Sequence, residues 1–194
     1  MRFKNGLQYV FGGELPAGVS ALPGPQSWPI ERIEDAHGNH WRFERRDGHL
    51  VRIVESGIGD LQGRFIEVEA RHGHIDRMAL HDPATGLAHP LVSYRYSAEG
   101  DLLAAVDALG APRTFAYERH RMVRHTDRVG LSFHYAFDAQ GRGVHSWGDG
   151  GLYDYHFEYD ELLRETRVTD SLGHLSVVKF DENQLPLCEI DPLD

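Results

Sequence analysis

Apolar and polar residues alternate along much of this chain, and the alternation breaks at even intervals. Leu131, Phe133, Tyr135 and Phe137 are separated by Ser132, His134 and Ala136. Tyr153, Tyr155, Phe157 and Tyr159 are separated by Asp154, His156 and Glu158. A period of two with aromatics on one side predicts half-buried β-strands. Turn signals begin at Ser97, Asp107, Glu118, Asp127, Asp138, Asp149, Asp160, Asp170, Asp181 and Asp191, 9 to 11 residues apart. That spacing predicts an all-β chain. After each turn roughly 6 or 7 residues remain, enough for a strand of about 20 Å.

The turns fall into two interleaved kinds. One follows an aromatic: Tyr96-Ser97, Tyr117-Glu118, Phe137-Asp138, Tyr159-Asp160 and Phe180-Asp181. The other reads Asp-x-x-Gly: Asp107 to Gly110, Asp127 to Gly130 and Asp170 to Gly173, with Asp149-Gly-Gly and Asp191-Pro-Leu-Asp194 in the remaining two slots. Within each kind the spacing is 20 to 22 residues, so the repeating unit is a β-hairpin. The expected fold is an antiparallel meander of about five hairpins over residues 91–194. An Asp opening a turn can accept a hydrogen bond from the backbone N–H two residues on. Glycine two or three places later supplies positive φ without steric cost. These aspartates, glycines and aromatics are therefore read as structural.

Residues 1–90 are β-rich but less regular. A strand is expected from Leu7 to Phe11, then a Pro/Gly-rich loop over 13–29 with Trp28 as its anchor. Strand signals resume at Glu31-Arg-Ile and Trp41-Arg-Phe, and Asp47-Gly48 predicts a hairpin with Leu50 to Val54 returning. Arg64 to Glu69 is expected to pair with Ile75 to Leu80 across Arg71 to His74. Asp82 to Gly86 is another turn. Leu102 to Val106 has helical propensity, but the repeat register assigns it to a strand. The boundary near residue 90 is soft, and the two regions are expected to be continuous.

The Tyr159-Asp160 dipeptide, its variants Phe137-Asp138 and Phe180-Asp181, and the Asp-x-x-Gly turns resemble the YD repeats of Rhs proteins. Tyr94 to Leu102, Arg124 to Phe133 and Trp147 to Tyr153 resemble other stretches of that family, in the expected order. Arg32 to Phe43 resembles its more degenerate repeats. The resemblance implies a curved or spiralling open sheet. In Rhs, teneurin and toxin-complex proteins such a sheet closes into a hollow shell, and in bacterial members the shell encloses a toxin domain, often delivered by type VI secretion. At 194 residues the chain is far shorter than such a core, shows no toxin domain or convincing self-cleavage motif, and stops mid-repeat. It is expected to be a segment of a core. The implied partners are the rest of the shell or a second copy, with a toxin domain as cargo.

Composition narrows the alternatives. The net charge of −10 argues against nucleic acid. No apolar run is long enough for a membrane span, and the start lacks the apolar stretch of a signal peptide. The family resemblance, rather than composition, implies a bacterial cytoplasm before export to a target cell. The single cysteine, Cys188, excludes a disulfide framework and is expected to be a packed residue.

Candidate chemistry is sparse. The 13 histidines invite a metal, and His72 and His74, with His81 and His89 following, are the first place to look. Without a cysteine pair or a helical His-Glu-x-x-His, no metal is expected. His134 and His156 fall on the polar face of corresponding strands. The periodic aspartates belong to turns rather than to a catalytic carboxylate pair. Gly148 to Gly151 is a hairpin turn, not a phosphate loop. No catalytic, cofactor-binding or metal residue is assigned. The leading expectation is a structural wall segment without catalysis. Exposed tyrosines on the sheet would instead fit a carbohydrate- or surface-binding module, and a glycosidase or self-cleaving protease is the third possibility.

Overall fold

A computed structural model describes residues 3, 4, 6–12, 28–57 and 63–191. The expected loop is therefore described only at Trp28 and Pro29, and the last turn only at Asp191. The described residues hold sixteen β-strands and no α-helix. The chain divides into two compact units, within residues 1–111 and 112–194.

The first unit contains β1 (Gln8–Phe11), β2 (Ile30–Glu34), β3 (His40–Arg46), β4 (His49–Glu55), β5 (Phe65–Arg71), β6 (His74–His81), β7 (Ala88–Tyr96) and β8 (Leu102–Asp107). Each pairs antiparallel with its sequence neighbour. The second contains β9 (Pro112–Glu118), β10 (Arg121–Thr126), β11 (Ser132–Phe137), β12 (Gly143–Gly148), β13 (Leu152–Asp160), β14 (Glu165–Thr169), β15 (Leu175–Phe180) and β16 (Pro186–Ile190). It is likewise an open antiparallel meander. Leu102 to Val106 is strand, as the repeat register requires, because tertiary pairing overrides local helix propensity.

The two sequence kinds of turn share one backbone geometry. At Asp107 the N–H donates to the Ala111 carbonyl (3.2 Å) and Gly110 N–H returns to the Asp107 carbonyl (3.0 Å). The same pair of bonds closes the turns at Asp35, Ser97, Asp127, Asp138, Asp170 and Asp181. This is a tight turn followed by a left-handed residue that bulges the strand. The Asp107 carboxylate accepts from the N–H groups of Leu109 (3.0 Å) and Ala111 (2.9 Å). Asp127 does the same for Val129 and Leu131, and Asp170 for Leu172 and His174. Aspartate thus satisfies a second amide, four residues on, that the sequence argument had not counted. The left-handed slot is Gly130 (φ 93°) in one turn, yet Gln184 (φ 62°) fills it in another.

Three of the evenly spaced turns after residue 96 depart from this geometry. Arg119 and His120, both at positive φ, make a two-residue turn after Glu118. Asp149 opens a short 3-10 turn, Asp149–Gly151. Asp160 accepts from Leu162 and Leu163 in a longer loop with Arg164 at φ 51°.

A single layer buries little. Val68, Ala79 and Ala104 are the buried apolar side chains among the described residues. Most of the remaining strand residues are half-buried, because each is covered only by same-face neighbours on adjacent strands. Every residue of β16 is exposed. Cys188 is therefore exposed rather than packed as expected, since β16 has a described neighbour on one side only.

Candidate functional site

The aromatic residues of the repeat join one turn to the next. In the second unit, Tyr159 is the next-to-last residue of β13, and its hydroxyl donates to the Gly143 carbonyl at the start of β12 (2.7 Å). Arg142 stands over the Tyr159 ring, its guanidinium carbon 4.7 Å from the centroid. The same guanidinium donates to Asp138 (2.7 Å) in its own turn and to Glu161 (2.8 Å) in the next. One hairpin earlier, Arg121 follows the turn at Glu118 and lies against Gly141. In the first unit, Tyr96 stacks on His74 (4.5 Å) and its hydroxyl donates to the Ile75 carbonyl (3.0 Å). In each case the residue just after one turn packs on the next turn at that end. The Phe180 N–H, donating to the Arg164 carbonyl (2.9 Å), makes a backbone version of the same link.

Pairing fixes the two faces of the second unit. His125 opposes Phe133 and Phe115, and Tyr135 opposes Ser146, which opposes Tyr155. This face therefore gathers the aromatics, with Tyr117, Phe137, Phe157 and Tyr159. Tyr135 shares a 2.9 Å hydrogen bond with His125. Burial pushes the phenols of Tyr96 and Tyr135 above their ordinary pKa. Tyr94, Tyr96, Tyr135 and Tyr155 are half-buried, as same-face packing requires, whereas Tyr153 is 63% exposed.

The opposite face carries a ladder of stacked rings. His134 lies 5.2 Å from Trp147, Trp147 4.1 Å from His145, and His145 4.0 Å from His156. Sequence spacing had placed His134 and His156 on one face, and Trp147 and His145 connect them. Asp154 reaches both neighbouring imidazoles, 2.7 Å from His145 Nε2 and 3.3 Å from His156 Nε2. His72 and His74 do not form such a group: His72 sits in a turn at φ 51° and His74 stacks on Tyr96. The convergence of His145 and Asp154 was missed because it depends on register. Folding the chain about Asp149–Gly151 sets His145 opposite His156, and Asp154 lies two residues back on the same face.

The turn carboxylates are spread along the strand ends and engaged locally. Asp35 is held below its ordinary pKa first by the Asn39 side chain, then by backbone donors. Burial pushes Asp138 up, but its bonds from Arg142 outweigh that and lower it. The Ser132 N–H and then His134 lower Asp149. The His174 backbone N–H is the main cause for Asp170. Their chemistry is turn closure. A second feature of the turns escaped sequence reading: Leu109, Val129, Leu162 and Leu172 stand at the tips, 94%, 88%, 96% and 78% exposed. No helix among the described residues is long and apolar enough to cross a membrane.

No family model matches the chain. It is 30% identical over 158 residues to the double-stranded DNA deaminase toxin A of Burkholderia cenocepacia (strain H111), matching 78% of this chain and 11% of that one. It is 38% identical over 103 residues to the toxin protein Tse5 of Pseudomonas aeruginosa, covering 51% of this chain and 8% of that protein. The chain thus spans about a tenth of the length of these curated relatives. The crystal structure of TcdB2–TccC3 without its hypervariable C-terminal region superposes with a TM-score of 0.55, at 12% identity, over 74% of this chain and 8% of that one. At that identity the likeness is one of fold. In its repeat motifs and hairpin meander the chain resembles a stretch of the YD-repeat sheet of Rhs-type proteins, and its sequence relatives are toxins.

Proposed function

We propose that this chain is a structural segment of an Rhs-type shell that encloses a toxin in bacterial competition, and that it has no catalytic activity of its own. The observation that carries this reading is the stitching of successive turns through Tyr159, Arg142 and Asp138. It makes a sheet that can be lengthened hairpin by hairpin without a conventional core. Such a sheet gains by extension, because each added hairpin covers an exposed edge. Exposed β16 is the place where further shell, or a second copy, would pair. The toxin names of the sequence relatives support the association with cargo. The setting is a bacterial cytoplasm before delivery into a target cell.

The test is electron cryomicroscopy of the natural gene product that contains this sequence. The expected density places residues 88–191 in the wall of a hollow particle with the toxin inside. A sheet that encloses nothing would overturn the reading. For the enzymatic alternative, intact-mass spectrometry after prolonged incubation should return one unchanged mass, and a cleaved chain would contradict the proposal.

The exposure of Tyr153 and Tyr159, 63% and 36%, favours one second reading, a carbohydrate- or surface-binding module. A glycan array on which binding depends on Tyr153 would select it over the wall. An array without binding would remove it.

A further inference from the structure

We propose that His145, Asp154 and His156 form a binding site for a divalent first-row transition ion of zinc type. Their ligand atoms all lie within 4.8 Å of one another. His156 Nε2 is 3.3 Å and His145 Nε2 2.7 Å from Asp154 Oδ1. Metal–ligand bonds of about 2.0–2.1 Å at tetrahedral angles require ligand atoms roughly 3.3 Å apart. One of the three pairs already has that spacing; the other two lie within 4.8 Å, and the stacked His145 and His156 rings must turn about their side-chain torsions to converge on an ion.

The donor set fits the ion class. Two imidazoles and one carboxylate are the nitrogen and oxygen ligands that zinc accepts, and they match less well the all-oxygen preference of calcium or magnesium. Three protein ligands leave a fourth position for water. The chain's net charge of −10 favours cation binding. The three side chains are intermediate to exposed, so an ion reaches them from solvent.

The site is also organised from behind. Trp147 stacks on His145 at 4.1 Å, which limits the orientations of that ring. It lies in one of the hairpins that lack the usual turn lock. The Asp149 carboxylate accepts from the Ser132 N–H (2.8 Å) on β11 instead of closing its own turn, and the β12–β13 register shifts between Ser146 and Gly148. An ion held by His145 on β12 and by Asp154 and His156 on β13 clamps this hairpin directly.

The test is calorimetric titration of the folded chain with Zn²⁺ near neutral pH, beside Asp154→Asn, His145→Ala and His156→Ala. The variant His72→Ala serves as control. The expected result is one saturating site per chain at micromolar or lower Zn²⁺, weakened at least tenfold in each of the three site variants and unchanged in the control. Zn²⁺ should also raise the thermal midpoint of the parent chain and leave that of Asp154→Asn unmoved. Asp154→Asn keeps the side-chain shape, so it reports even if His145→Ala disturbs the ring stack. Binding only at millimolar Zn²⁺, equal affinity in Asp154→Asn and the parent, or loss in His72→Ala would each overturn the proposal.

Discussion

Two alanine substitutions separate the cost of backbone geometry from the cost of breaking the link between turns. Gly130 has φ 93°, and an added Cβ would meet nothing within 4 Å. Gly141 has φ 88°, but its Cβ would fall on the Arg121 guanidinium, 2.7 Å from Cζ. The left-handed conformation costs an L-residue about 1–2 kcal/mol. Restricting the unfolded chain returns about 0.4–1 kcal/mol. Gly130→Ala should therefore destabilise by about 0.5–1 kcal/mol net. Gly141→Ala carries the same cost and also displaces Arg121, adding about 0.5–1 kcal/mol, as is usual for touching residues. With a urea slope of about 2 kcal/mol per molar, the midpoints should fall by roughly 0.4 M and 0.8 M. The assay is urea unfolding followed by circular dichroism, for each variant alone and in an Arg121→Ala background. In that background the two glycine variants should cost the same. Equal costs in the native background, or a gap that survives Arg121→Ala, would refute the packing of one turn on the next.

Tyr159→Phe removes the hydroxyl bond to Gly143 while keeping the ring under Arg142, and urea unfolding should show a loss of about 0.5–1 kcal/mol. Val68 is 5% exposed, so Val68→Ala should cost about 2 kcal/mol; Val129, 88% exposed, should change the midpoint by less than about 0.5 kcal/mol when made alanine. Asp35, Asp138, Asp149 and Asp170 have folded pKa values below their ordinary 3.8. Their contribution is fully present above the unfolded value and is lost as pH falls through it toward the lower folded values. Thermal midpoints should therefore drop from near pH 4 downward, and Asp170→Asn should flatten part of that slope.

The strands were legible because a period of two and evenly spaced turn residues are local signals. The Leu131 to Phe137 alternation places aromatics on one face without reference to any partner. Even Leu102 to Val106, ambiguous by propensity, was settled by the turns on either side. What was not legible needed the partner strand. The Arg142–Tyr159 contact joins one turn to the next at the same end of the sheet, and no local pattern states it. His145 meets Asp154 and His156 only once the β12–β13 register is known. The shared geometry of Ser97, Asp107 and Asp138 was hidden because sequence class sorted them by the preceding aromatic, which takes no part in the backbone bonds that close these turns. Cys188 was misjudged because burial depends on what lies beside β16, which its own residues do not state.

The central claim is that this sheet is wall rather than binding surface or enzyme. Electron cryomicroscopy of the natural gene product tests it most directly. The account predicts β7–β16 within a continuous shell around a toxin density. A particle in which these strands form no part of an enclosing wall, with the toxin outside and open to solvent, would contradict it.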